Sequence, residues 1–106
     1  IISVIIPSYN KKNFLIKSVR SIQNQNFQNI EIIIVNDAST DNSTSVFNYL
    51  LESDPRIRIF HHMTNMGCWR TRLDGITYSR GDYIILFDAG DLYEDNYVLT
   101  DAYNII

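Results

Sequence analysis

With 106 residues the chain can build one domain with a single core, and it is too short for two. Hydrophobic residues at 45% and charged residues at 20% exclude a disordered or fibrous chain, and a net charge of −3 with nine scattered Lys and Arg excludes the basic face of a duplex-binding protein. The lone Cys68 cannot close an internal disulfide, which makes a reducing, cytosolic setting the expectation.

In chain order, Ile1–Ile6 is an apolar, β-branched run that reads as a buried strand and gives way to Pro7-Ser8-Tyr9-Asn10. It lacks the basic flank and cleavage site of a signal peptide, and no apolar run approaches the roughly 18 to 20 residues of a membrane span. A start directly on a strand sets the expectation that the native N-terminus lies upstream. Leu15, Val19 and Ile22 recur at helical spacing. Ile30–Val35 reads as a second buried strand, followed by Asn36-Asp37-Ala38-Ser39. Ser39, Thr40, Asp41 and Ser43 offer caps for a helix striped by Val46, Phe47, Leu50 and Leu51, and the sequon-like Asn42-Ser43-Thr44 fits its turn and start. Pro55 then punctuates the entry to Arg56–Phe60, which alternates polar and apolar residues as a half-exposed or edge strand does. His61 and His62 read as loop residues rather than ligands. Trp69, Leu73 and Ile76 stripe a third helix, Gly81 marks the next turn, and Tyr83–Phe87 reads as another fully buried strand ending in Asp88-Ala89-Gly90-Asp91. Val98, Leu99, Ala102 and Tyr103 mark a last helix within 96–106.

Strands alternating with helices over short connections predict an α/β fold, a mainly parallel Rossmann-like sheet flanked by helices, whose ligands bind beyond the carboxyl ends of the strands. The polar clusters after the first, second and last strands would share one crevice. Each alone fits a turn; their conjunction points to a ligand. Tyr9 can stack a base and Asp37 can accept a base N–H. A diphosphate needs positive charge, for which Arg72 and a cation on Asp88 and Asp91 are the candidates, Mg2+ or Mn2+ suiting an oxygen-only ligand set. The glycine-rich dinucleotide fingerprint, the P-loop and the G-x-S-x-G elbow are absent, and a phosphoacceptor receiver would need acids where Ser8, Tyr9 and Asn10 stand.

Ser3–Asn10, Ser21–Gln25, Glu31–Asp41, Asn65-Met66-Gly67, Arg72, Gly75 and Gly81 through Asp91 together resemble glycosyltransferase family 2, in order and at the usual spacing. The resemblance implies a GT-A fold truncated after the D-x-D region, with residues 1–106 as its nucleotide-sugar-binding part. It implies transfer of a sugar, commonly from a UDP-linked donor and of the hexosyl type, with inversion and with Mn2+ or Mg2+. Pro7, Ser8 and Tyr9 would line the nucleotide pocket, Asp37 would contact the base, and Arg72 would lie near the nucleotide. Asp88 would stand as the first aspartate of D-x-D, touching ribose and the metal shell. Gly90 replaces the second aspartate, leaving Asp91 as the further metal ligand; Asn36 replaces a common acid, and Leu73 stands where an asparagine often follows the arginine.

The catalytic base and the acceptor site are expected beyond residue 106, so the fragment alone is expected to be inactive. A role in polysaccharide synthesis, a glycan, lipid or protein acceptor, a homodimer, and a place in the cytoplasm or on the cytoplasmic face of a membrane reached through other regions complete the expectation. The rival readings are a nucleotidyltransferase, which should show a glycine-rich basic loop after the first strand, and a non-catalytic glycosyltransferase-like binding module.

Overall fold

The computed structural model describes residues 1–93 and 95–105. Its elements alternate: β1 (Ile2–Ser8), α1 (Leu15–Gln23), β2 (Ile30–Asn36), α2 (Thr44–Ser53), β3 (Ile57–His61), α3 (Cys68–Tyr78), β4 (Tyr83–Leu86) and α4 (Val98–Ile105). The expected helix end at Ile106 lies outside the described residues. All three strand pairings are parallel, in the order β3-β2-β1-β4. The chain therefore moves outward from β1 to β3 and then returns to the other side of β1. The resulting switch point lies between β1 and β4, and ligands of such sheets bind outside the carboxyl ends of the strands there.

Two faces are covered differently. On one, Val4, Ile6, Ile32 and Ile34 pack with Leu15, Val19 and Ile22 of α1, with Phe47 and Leu50 of α2, and with Leu99 of α4, all at or below 4% exposure. On the other, Ile5, Ile33 and Val35 form a smaller cluster beneath α3. The continuous Ile/Val runs of β1 and β2 follow from this two-sided burial, since both alternating sets of side chains need an apolar partner.

The expected stripe of α3 is corrected here. Trp69, Leu73 and Ile76 are exposed, and the buried residues are Thr71 and Gly75. A Cβ on Gly75 would lie 2.3 Å from Ile5 Cγ2, so the missing side chain lets the helix backbone settle onto β1. Burial of β4 is corrected as well. Ile84 and Leu86 are 42% and 49% exposed because β4 lies at the edge of the sheet built by the described residues and α3 packs on β1 and β2. β3, the other edge, is half-buried as its alternation predicts.

Among the capping candidates only Ser43 occupies the N-cap of α2, and its hydroxyl donates to the Asp41 carboxylate rather than capping the helix. The others join loops. Asn10 N–H donates to Ser39 Oγ (3.1 Å), Thr40 N–H to Asn10 Oδ1 (2.8 Å) and Lys12 N–H to Asp41 Oδ2 (2.9 Å). The β1–α1 and β2–α2 loops are thus tied together at the edge of the crevice. Asn10, Ala38 and Asn42 hold positive φ of 54°, 58° and 61°; Asn tolerates this region well, whereas Ala38 adopts it with no side-chain compensation.

Candidate nucleotide site

A cleft of about 510 Å3 opens at the switch point, and Pro7, Ser8, Tyr9, Asp37, Arg72 and Asp88 all line it. These are the nucleotide-site candidates read from the sequence, drawn together from the ends of β1, β2 and β4 and from α3. Ser8 and Asp37 are buried, while Tyr9 is 44% exposed and able to meet a planar ligand. Lys11, Asn65 and Cys68 also reach the cleft, which the spacing alone did not assign.

Asp37 is held from three directions. Its Oδ1 accepts the Met66 N–H (2.7 Å) and lies 2.9 Å from His62 Nδ1, and its Oδ2 accepts the Gly67 N–H (3.1 Å). This gives the Asn65-Met66-Gly67 motif a physical reason: the turn wraps two amides around one carboxylate, and Gly67, at φ 88°, supplies the left-handed step into α3. Burial works to raise the Asp37 pKa, but the His62 contact and the two amides outweigh it and hold the carboxyl below its ordinary range. Asp37 is consequently an anion with lone-pair capacity remaining on Oδ2, able to accept from a ligand and unable to donate.

His61, read as a loop residue, is instead the last residue of β3, and His62 lies in the following loop as read. The His62 side chain is only 8% exposed and lies between two carboxylates, with Nε2 2.7 Å from Asp74 Oδ2. The Arg70 Nε–H donates to the second oxygen of Asp74 at 2.9 Å. The available signal was the pairing of His62 with Asp74 across a turn, which periodicity does not encode. His61, by contrast, points to Asn36 (3.1 Å) and the Phe47 ring. Asn36 also accepts the Ser39 N–H, so it shapes the loop and does not line the main cleft.

Across the cleft Arg72 donates to Asp88 Oδ1 at 2.9 Å, both side chains being substantially exposed. Asp91 sits apart from the lining residues; its N–H closes a turn onto the Asp88 carbonyl (3.0 Å). Ser18, a polar residue within the apolar stripe of α1, secures that turn by donating to the Asp91 carbonyl and accepting the Gly90 N–H. Ser21 and Gln25 continue the clamp: Ser21 Oγ accepts the Tyr93 N–H, and Gln25 donates to the Asp95 carbonyl and accepts the Leu99 N–H. Gly90 at φ 107° occupies a conformation that an aspartate would strain. Among the described residues no three His, Cys, Asp or Glu side chains gather as a metal cage. Asp88 places carboxylate oxygen, the donor type Mg2+ and Mn2+ take together with water and substrate phosphate, in the cleft, while Asp91 stands outside its lining.

A four-stranded parallel sheet with its cleft at the switch point is the nucleotide-binding architecture of GT-A glycosyltransferases. The chain is superposable on UDP-bound TarS 1–349 from S. aureus with a TM-score of 0.88, covering 99% of this chain and 31% of that one at 24% identity. It fits the mannosyltransferase PcManGT from Pyrobaculum calidifontis, solved with GDP-Man and Mn2+, with a TM-score of 0.89 over 96% of this chain and 31% of that one at 22% identity. The sequence profile of Glycosyl transferase family 2 matches residues 3–105, and the chain belongs to that family. Glycosyltransferase GlyG of Streptococcus pneumoniae is 37% identical over 100 residues, which are 94% of this chain and 33% of GlyG. The chain thus spans about a third of the length of these relatives.

Proposed function

We propose that residues 1–106 bind the donor of an inverting glycosyltransferase that transfers a hexose from a nucleotide-diphosphate sugar, a UDP-sugar first, to a glycan, lipid or protein acceptor. The observation that carries this reading is the Asp37 carboxylate, ionised, fixed and acceptor-only in the same cleft as Tyr9 and Arg72. Such an acceptor selects bases that offer a ring N–H, uracil or guanine, and disfavours cytosine, whose corresponding nitrogen carries a lone pair. The UDP and GDP-Man ligands of the two structural neighbours have such bases.

In this reading Tyr9 stacks on the base, Asp37 takes its N–H, and Arg72 leaves Asp88 to meet the diphosphate. Asp88 and Asp91 would hold Mn2+ or Mg2+, which supplies Lewis-acid stabilisation of the departing nucleoside diphosphate. Inversion requires a carboxylate that deprotonates the acceptor hydroxyl, and none of residues 1–106 is assigned that role. The rival reading, a glycosyltransferase-like module that has lost catalysis, draws on Gly90 in place of the second D-x-D aspartate.

Calorimetric titration of the intact protein with UDP, GDP and CDP, each with and without Mn2+, tests the proposal. UDP or GDP binding that strengthens with Mn2+, is lost in Asp37→Ala and becomes metal-independent in Asp88→Ala is expected. Equal affinity for CDP, or no binding by a folded protein, would overturn it, and metal-independent binding by wild type would favour the non-catalytic module.

A further inference from the structure

We infer that His62 is a positioning residue of the nucleotide cleft: held as an imidazolium between Asp37 and Asp74, it fixes the base-facing carboxylate and ties the end of β2 to α3, so that donor nucleotide binds to the His62-protonated form. The inference rests on the donor-binding reading above and assigns a role to two residues, His62 and Asp74, that do not themselves line the cleft.

The geometry begins with donors and acceptors. Both ring nitrogens lie within hydrogen-bond distance of a carboxylate oxygen, 2.9 Å to Asp37 and 2.7 Å to Asp74. A neutral imidazole has one N–H and one lone pair, so it would satisfy one carboxylate and face the other with a lone pair against a lone pair. Only the imidazolium donates to both. The charged groups facing the ring are Asp37 from the turn after β2 and Asp74 from α3, the latter backed by Arg70; the neighbouring His61 is turned toward Asn36 and Phe47. Burial works against the charged ring, but the bonds to Asp37 and Asp74 outweigh it and hold His62 above the ordinary histidine range.

The link to binding runs through α3. That helix carries Arg72 on its cleft side and Asp74 on the His62 side, and its first turn hydrogen-bonds back to Gly67 through Thr71. When His62 loses its proton, either Asp37 loses a fixed donor or α3 loses its tether to the end of β2. Both outcomes loosen the spacing between the base-facing and phosphate-facing sides of the cleft. Asp37 retains its two amide donors, so the site weakens and does not collapse.

The test is the affinity of the intact protein for UDP-GlcNAc between about pH 5.5 and 8.5, a range that brackets ordinary histidine titration. The nucleotide sugar is used in place of UDP because a terminal phosphate itself titrates near pH ~6, whereas the esterified diphosphate keeps its charge. NMR titration of the His62 ring runs in parallel. Wild-type affinity should weaken about tenfold as pH rises, the loss of one charge-assisted contact, with the same midpoint as the ring. His62→Gln, which cannot titrate, should bind weakly at low pH and show no step. Asp74→Asn should move the ring and the binding step together to lower pH, and it keeps the test decisive if His62→Gln folds poorly. A step that persists in His62→Gln, or a wild-type affinity that stays constant while the ring titrates, overturns the inference and leaves the donor site standing. Failure of a folded protein to bind UDP-GlcNAc, UDP or GDP at any pH overturns the donor reading itself and, with it, this inference.

Discussion

Asp37 and Asp88 face the same cleft and are held in opposite ways. Asp37 is 4% exposed and receives two main-chain amides and an imidazole, whereas Asp88 is an exposed side chain with Arg72 as its hydrogen-bond donor. On the donor-binding reading proposed above, the difference matches the demands on each. A base edge is recognised by geometry, and an acceptor fixed before binding spends no free energy on ordering when the ligand arrives. A diphosphate with its cation carries charge that must be met by groups able to change partner. Arg72 and Asp88 neutralise each other in the free protein and can be exchanged as a pair. One side of the cleft is therefore a template and the other an adjustable clamp.

The largest expected effect comes from breaking the template. Asp37→Ala leaves two buried amides and the His62 ring without their acceptor and should lower unfolding free energy by about 3 kcal/mol, read from chemical denaturation, besides abolishing nucleotide binding. An unchanged denaturation midpoint would mean that the carboxylate is not held as tightly as its partners indicate.

The clamp should respond the other way. Asp88→Asn is expected to leave the denaturation midpoint unchanged, since the pair with Arg72 is exposed, while weakening Mn2+-dependent UDP-GlcNAc binding by at least about tenfold. A large fall in stability would show that Asp88 is a structural residue.

The template also predicts a pH window. Asp37 is depressed, so its contribution is present above its unfolded pKa and is lost as pH falls through the lower folded value. His62 is raised, so its contribution is complete below its unfolded pKa and is lost as pH rises through the higher folded value. Stability from this pair should plateau in mildly acidic solution and decline on both sides. His62→Gln should remove the alkaline limb of the denaturation-versus-pH curve.

Smaller effects are expected where backbone conformation alone is changed. Gly90→Asp, which restores the letters of D-x-D, should cost about 1 kcal/mol because φ is 107° there, and it should not strengthen Mn2+ binding. Ala38→Gly should stabilise by somewhat less than 1 kcal/mol by relieving the left-handed strain at φ 58°, part of the gain being returned through the looser unfolded chain. Thermal denaturation measures both, and a destabilised Ala38→Gly would place the strain elsewhere.

The sequence by itself determined the alternation of elements, the buried runs of β1 and β2, the half-exposed β3 and the candidates that meet in the cleft. Those features depend on local periodicity and on a rule of sheet topology that places the strand ends together. It also carried the family, since several motifs at fixed spacing agree. What only the tertiary structure decided concerns contacts between distant segments. The α3 stripe failed because Gly75 replaces bulk with close approach, and β4 is half-exposed because edge position is a property of the whole sheet. His62 gains its partners from a turn after β2 and from α3, and Ser18 in α1 holds the Asp88–Asp91 turn across the fold. Polar residues carry no period of their own; their roles appear only when folding brings an acceptor within reach of a donor.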